Sequence, residues 1–107
     1  MILGRVTGSV VSTVKVQPMV GHTLFTVEPL RVDPQTKDRL VGVGRTFVAV
    51  DLVGCGECQV ILMVQGSSAR MTEETSKLPV DAAIIGIVNQ ISAYGREVFR
   101  DGAEESC

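Results

Sequence analysis

A chain of 107 residues that is 45 % hydrophobic, 21 % charged and free of tryptophan makes one domain, and a fold of that size hides only a little over ~60 % of the surface its unfolded chain exposes. The formal net charge of −2, with Lys and Arg scattered from Arg5 to Arg100, lacks the basic stripe that nucleic-acid binding requires. No apolar run approaches the ~20 residues of a membrane span, no segment has a signal-peptide layout, and three cysteines suit a reducing compartment better than a disulfide framework, so the chain reads as cytosolic. So much apolar surface in so small a chain also implies that another subunit covers part of it.

From Ile2 to Val16, β-branched residues mix with Gly4 and Gly8 and pass into apolar and polar alternation over Val10–Val16, which predicts a first strand. Gln17-Pro18-Met19-Val20-Gly21 interrupts it, and Leu24-Phe25-Thr26-Val27-Glu28 predicts a second strand ending near Pro29. The charged, proline-bearing Asp33–Asp38 segment predicts an exposed hairpin-like turn. Thr46–Val53 and Val60–Val64 have the length and composition of strands buried on both faces.

Gly66-Ser67-Ser68-Ala69-Arg70 and the residues up to Glu74 predict a short helix with Ser67 or Ser68 as its cap. Ala83–Val88 is strand-like again around Gly86. The expected organisation is a barrel over residues 1–92 and a polar tail over 93–107, loosest from Asp101 to Cys107. Some five short strands and one small helix predict a mainly β fold, a compact, partly open five-stranded β-barrel. Gly4, Gly8, Gly44 and Gly86 supply its bends and bulges.

The chemistry-bearing candidates are few. Cys55-Gly56-Glu57-Cys58 has thioredoxin-type spacing, but it joins two apolar strands, whereas that motif belongs between a strand and a long helix. As a zinc site it offers two of the four ligands required, with His22 and Cys107 the remaining candidates. Packing is the leading reading for both thiols. Asp51 and Asp81 are isolated in apolar surroundings, so each is either a paired core carboxylate or a cap for local amides. A single histidine, His22, gives Ser67 and Ser68 little basis for a nucleophilic triad. Gly66–Arg70 either presents amides to an anion, with Arg70 as a clamp, or brings two subunits into close contact; its glycine spacing is not that of a phosphate loop, so the packing reading leads.

In order along the chain stand Gly4-Arg5-Val6, Val10-Val11-Ser12-Thr13, Val27-Glu28-Pro29-Leu30, Val48-Ala49-Val50-Asp51, Gly54-Cys55-Gly56, Gly66-Ser67-Ser68-Ala69-Arg70, Pro79-Val80-Asp81-Ala82 and Gly86-Ile87-Val88. This series, reaching to about Gln90, resembles the EutN/CcmL family of bacterial microcompartment vertex proteins. The resemblance implies an OB-like barrel assembled as a cyclic homopentamer that caps the five-fold vertices of a polyhedral shell. A flat sheet of six-fold tiles closes only with such points, and a ring of identical heterologous contacts supplies one. It further implies a structural role without catalysis or cofactor, hexameric shell proteins as partners, and a place in a cytoplasmic compartment's shell.

The family's turn after the Val-Asp strand reads Gly-Ala-Gly-x-Gly-Glu and lies near the five-fold axis. Here Cys55 stands for the alanine, Glu57 takes the variable place, and Cys58 and Gln59 replace glycine and glutamate. Cys58 then needs a backbone angle that a side chain tolerates, while Gln59 accepts a hydrogen bond without bringing a charge. By this resemblance Gly54, Cys55, Gly56, Glu57 and Cys58, with Gly66, Ser67, Ser68, Ala69 and Arg70, are expected at the subunit interface or pore. The competing reading is a small cytosolic thiol or metal-binding protein working through Cys55 and Cys58.

Overall fold

The computed structural model describes residues 1–13, 15–73, 76 and 80–102. Its strands are β1 (Ile2–Val10), β2 (Leu24–Val32), β3 (Leu40–Gly42), β4 (Phe47–Asp51), β5 (Val60–Gln65), β6 (Ala82–Ile87), β7 (Gln90–Ala93) and β8 (Arg96–Arg100). They pair in the order β1-β5-β6-β4-β2-β3, and β1 also pairs with β2, so five strands close into a ring from which β3 extends. The pairings are antiparallel except β4 with β6, which run parallel through Val50↔Ala83 and Asp51↔Ile84.

Alternation does the sorting. Along β2, Phe25, Val27 and Pro29 are buried while Leu24, Thr26 and Glu28 are half-buried, because successive side chains of a strand point to opposite faces. Val6, Phe25, Val27, Ala49, Cys55, Ile61, Met63, Ala82 and Ile84 fill the ring. A second, smaller cluster of Val50, Ala69 and Ala83 lies under Leu24, Leu52, Val64 and Val80. Such small aliphatic side chains suit the narrow space inside five strands. Gly4 is where the walls come closest: a β-carbon there would stand 2.5 Å from Val27 Cγ1. Register shifts between Val6 and Gly8 on β1 and between Leu62 and Met63 on β5 give the extra bend the ring needs.

Several elements differ from the sequence reading. β1 stops at Val10, not Val16, because its partner β2 begins at Leu24 opposite Val10 and offers no ladder further on; Val14 lies outside the described residues. β2 runs through Pro29, at the point where its partner changes from β4 (Val27↔Phe47) to β3 (Leu30↔Gly42). The missing N–H interrupts no ladder there, and the Pro29 carbonyl accepts from Val43 N at 3.1 Å. β4 is buried on both faces at Ala49 and Val50, as the sequence predicts, while Val48 nearer its start is exposed.

The expected helix is a 3-10 turn over Gly66–Arg70. Beyond residue 92 the chain first completes a hairpin, β7 with β8, around Tyr94-Gly95; residues 103–107 lie outside the described residues. The Asp33–Asp38 segment does form the turn between β2 and β3. Asp33 Oδ1 accepts from Gln35 N at 2.9 Å, and its carboxylate meets Arg39 at 3.5 Å. Lys37 Nζ lies 5.0 Å from the Tyr94 ring centroid, which links this turn to the tip of the β7–β8 hairpin.

Candidate functional site

The segment after β4 is built around one carboxylate. Asp51 Oδ1 accepts from Val53 N at 3.0 Å, Gly54 N at 3.1 Å and Cys55 N at 3.4 Å, and from the Cys55 thiol at 3.4 Å. Of the two roles open to Asp51, capping local amides is the one it fills. Gly54 takes φ +78°, a left-handed angle that glycine adopts without steric cost. The second half of the turn is tied to β1: Cys58 N donates to Val6 O at 2.8 Å, Val6 N to Gln59 O at 3.0 Å, and Arg5 Nη1 to Cys58 O at 3.1 Å. Gln59 Oε1 accepts from Gly56 N at 2.7 Å, so the amide accepts the bond expected of it. Cys58 sits at φ +73°, the angle that glycine adopts most easily.

The two cysteines of this turn are separated by environment. Cys55 is a free thiol, 8 % exposed, inside the ring core. Burial pushes it up to about 12, and the neighbouring Asp51 carboxylate adds to the shift. It is protonated at neutral pH, and its side chain packs in the core of its own protomer. Cys58 is exposed and is not a free thiol. The two therefore do not form a Cys-x-x-Cys disulfide with each other. Among the described residues, no three His, Cys, Asp or Glu side chains gather as metal ligands, and Cys107 lies outside them. The thiol or metal alternative finds no support in this arrangement.

The second expected segment, Gly66–Arg70, is anchored by Gly66 N donating to Asp81 O at 2.7 Å, with Gly66 at φ +63°. Ala69 is fully buried against Val50 and Ala83, so it too faces its own protomer, whereas Ser67 and Arg70 are exposed. The Ser68 side chain lies outside what is described. His22 stands apart, half-buried between the 17–19 turn and β2, its carbonyl accepting from Lys15 Nζ at 3.2 Å.

The sequence reading missed a hollow of about 210 Å³ on the outside of β4, lined by Met19, Leu24, Val48, Val50, Val80, Asp81 and Ala82. Its signal was present in Val48-Ala49-Val50, where apolar residues occupy both faces of one strand.

The family model described as "Ethanolamine utilisation protein EutN/carboxysome" matches residues 1–89. The chain belongs to the EutN/CcmL family. This EutN/CcmL chain is 38 % identical to the bacterial microcompartment shell vertex protein EutN of Salmonella typhimurium over 99 residues, which is 92 % of the chain and 94 % of the relative. Among solved structures, Gloeobacter violaceus CcmL superposes with a TM-score of 0.81 at 34 % identity, covering 94 % of the chain and 98 % of its counterpart. The pentameric microcompartment shell protein GrpN of Rhodospirillum rubrum superposes with a TM-score of 0.71 at 36 % identity, covering 87 % and 98 %. Among the described residues of this EutN/CcmL chain, no helix is long and apolar enough to cross a membrane.

Proposed function

We propose that this chain is a structural subunit of a bacterial microcompartment shell, in which five copies close into a ring at a five-fold vertex. The observation that carries the reading is the match of nearly the whole chain to shell vertex proteins and to a pentameric relative. Hexameric shell proteins are the neighbours such a ring meets, and the shell lies inside the cell. The ring acts as a barrier element and turns over no substrate. The exposed members of the two turns, Gly54, Glu57 and Cys58 with Gly66, Ser67 and Arg70, and the half-buried Gly56 supply subunit or pore contacts, while Cys55 and Ala69 hold those turns from within.

Native mass spectrometry tests the assembly: five protomers of 11.4 kDa give about 57 kDa, and a monomer at micromolar concentration refutes the reading. Ser67→Trp is the cleaner probe of the second turn, because any side chain at Gly66 meets a strained angle whatever its size. The expected result is a folded protomer that no longer closes the ring. An intact pentamer in that variant removes the 66–70 turn from the contact.

A further inference from the structure

Cys58 occupies a position that suits glycine better. Its backbone is at φ +73°, an angle that a β-carbon resists, and its side chain is exposed, so burial does not account for a cysteine there. Its sulfur is nevertheless committed: Cys58 is in a disulfide, while Cys55 is a free thiol in the core. The chain has three cysteines, so the one other thiol that a single copy can offer is that of Cys107. The fold brings the two ends together. Val88 N donates to Val60 O at 2.8 Å, and Asp101 N donates to Asn89 O at 2.8 Å. The chain leaving β8 thus lies two ladder steps from the start of β5, the strand that follows the Cys58 turn. With paired strands about 5 Å apart and about 3.3 Å per residue along them, Asp101 is no more than about 20 Å from Cys58. The six residues that follow Asp101 up to Cys107 reach about 20 Å when extended, so the two sulfurs can meet with no change in the ring.

We propose that Cys58 and Cys107 are a redox-responsive pair whose disulfide fastens the C-terminal tail across the 54–59 turn of the same copy. Closure uses a low-molecular-weight disulfide such as oxidised glutathione. The Cys58 thiolate attacks one of its sulfurs, forming a mixed disulfide and releasing one glutathione thiolate; the Cys107 thiolate then attacks Cys58 Sγ and releases the second. Two electrons pass from the protein thiols to the oxidant, the two protons pass through solvent to the departing thiolates, and reduced glutathione reverses both steps. Arg5 favours the first attack, because its Nη1 lies 3.1 Å from Cys58 O and a guanidinium beside a cysteine stabilises the thiolate. Glu104 and Glu105 bring negative charge to the other partner, so closure also draws unlike charges together. An exposed bond inside a cell opens and closes with the surrounding thiol poise, whereas Cys55 stays in the core and takes no part.

Mass spectrometry of the whole chain is the test. The protein is equilibrated in oxidised glutathione, its remaining thiols are alkylated in denaturant, and trypsin cuts after Arg45, Arg70 and Arg100. The expected product joins residues 46–70 to residues 101–107 with the alkyl group on Cys55, and before alkylation the intact chain is about 2 Da lighter than its reduced form. On a gel without reductant the band stays at the size of one copy. In reduced glutathione the bond opens, and iodoacetamide then adds two groups to the native protein and a third only after unfolding, because Cys55 is buried. Cys58→Ser and Cys107→Ser each abolish the bond, whereas Cys55→Ala leaves it in place. A bond between Cys55 and Cys58, a ladder of joined copies, or free thiols at Cys58 and Cys107 in oxidised glutathione overturns the inference. So does a bond that reduced glutathione leaves closed. The ring is judged separately by its native mass, so either conclusion can fail without the other.

Discussion

Adding one carbon at Gly4 tests how the ring is packed. A β-carbon there lies 2.5 Å from Val27 Cγ1 and 3.4 Å from both Glu28 O and Ile61 Cδ1. Carbon atoms rest about 3.5–4.0 Å apart, so β1 and β2 must separate by roughly 1 Å or Val27 must leave its rotamer. Val27 is fully buried, and a branched side chain has little freedom to turn away. Overpacking of this kind costs about 1–3 kcal/mol. Gly4 does not occupy a left-handed angle, so the stiffer unfolded chain returns about 0.4–1 kcal/mol, and Gly4→Ala is expected to destabilise by about 1–2 kcal/mol. Val27→Ala removes two buried carbons and leaves a void, at about 2–3 kcal/mol.

The double variant distinguishes the mechanism. If the clash is the cause, removing Cγ1 makes room for the new carbon, and Gly4→Ala/Val27→Ala is no less stable than Val27→Ala alone. The assay is urea unfolding at one fixed protomer concentration, because assembly links stability to concentration. Costs that add to within about 0.5 kcal/mol refute the close approach as the reason for glycine at position 4.

Asp51→Ala strips the acceptor from three backbone amides and is expected to cost about 1–2 kcal/mol in the same assay, with Asp51→Asn losing less because it keeps an oxygen in place; equal losses would deny the capping role. For Cys55 the native thiol is raised from 9.0 to about 12. Its contribution is therefore fully present below pH 9.0 and is lost as the pH climbs toward about 12. Cys55→Ala should flatten the alkaline fall in stability across that window. With Cys58 and Cys107 replaced by serine, Cys55 of the native protein should alkylate about a thousandfold more slowly than the unfolded chain at the same pH, and equal rates would contradict its burial. Cys58→Gly, measured in reductant, is expected to stabilise by about 0.5–1 kcal/mol by relieving the left-handed angle; a loss of stability would show that the cysteine side chain contributes more than its backbone costs.

The ring strands, the Asp33–Asp38 turn and the capping option for Asp51 were legible because each rests on local pattern: alternation, turn composition, a short acceptor before glycine. What escaped the sequence depends on partners. Nothing in Val10–Val16 reveals that the opposing strand has already ended, and nothing in Val48 reveals which face of β4 turns outward. The β7–β8 hairpin was obscured by its polar composition, although Tyr94-Gly95, both at positive φ, is the two-residue loop that right-twisted strands favour. The resemblance singled out the two turns as whole segments, and it does not separate their exposed side chains from those, Cys55 and Ala69, that pack inward. That distinction comes from three-dimensional burial.

The way the strand ladder closes also limits how copies can meet. An open sheet invites another chain to add itself edge to edge, and such growth has no natural stopping point. Here β1 spends both of its edges on β2 and β5, and β3, a three-residue strand, extends the ladder on one side. Copies crowded together are thereby steered away from backbone zippering and toward contacts between side chains, whose shapes set a definite angle from one copy to the next. A fixed angle permits a count, and the five strands that close on one another leave no edge within the ring on which a fibre could grow.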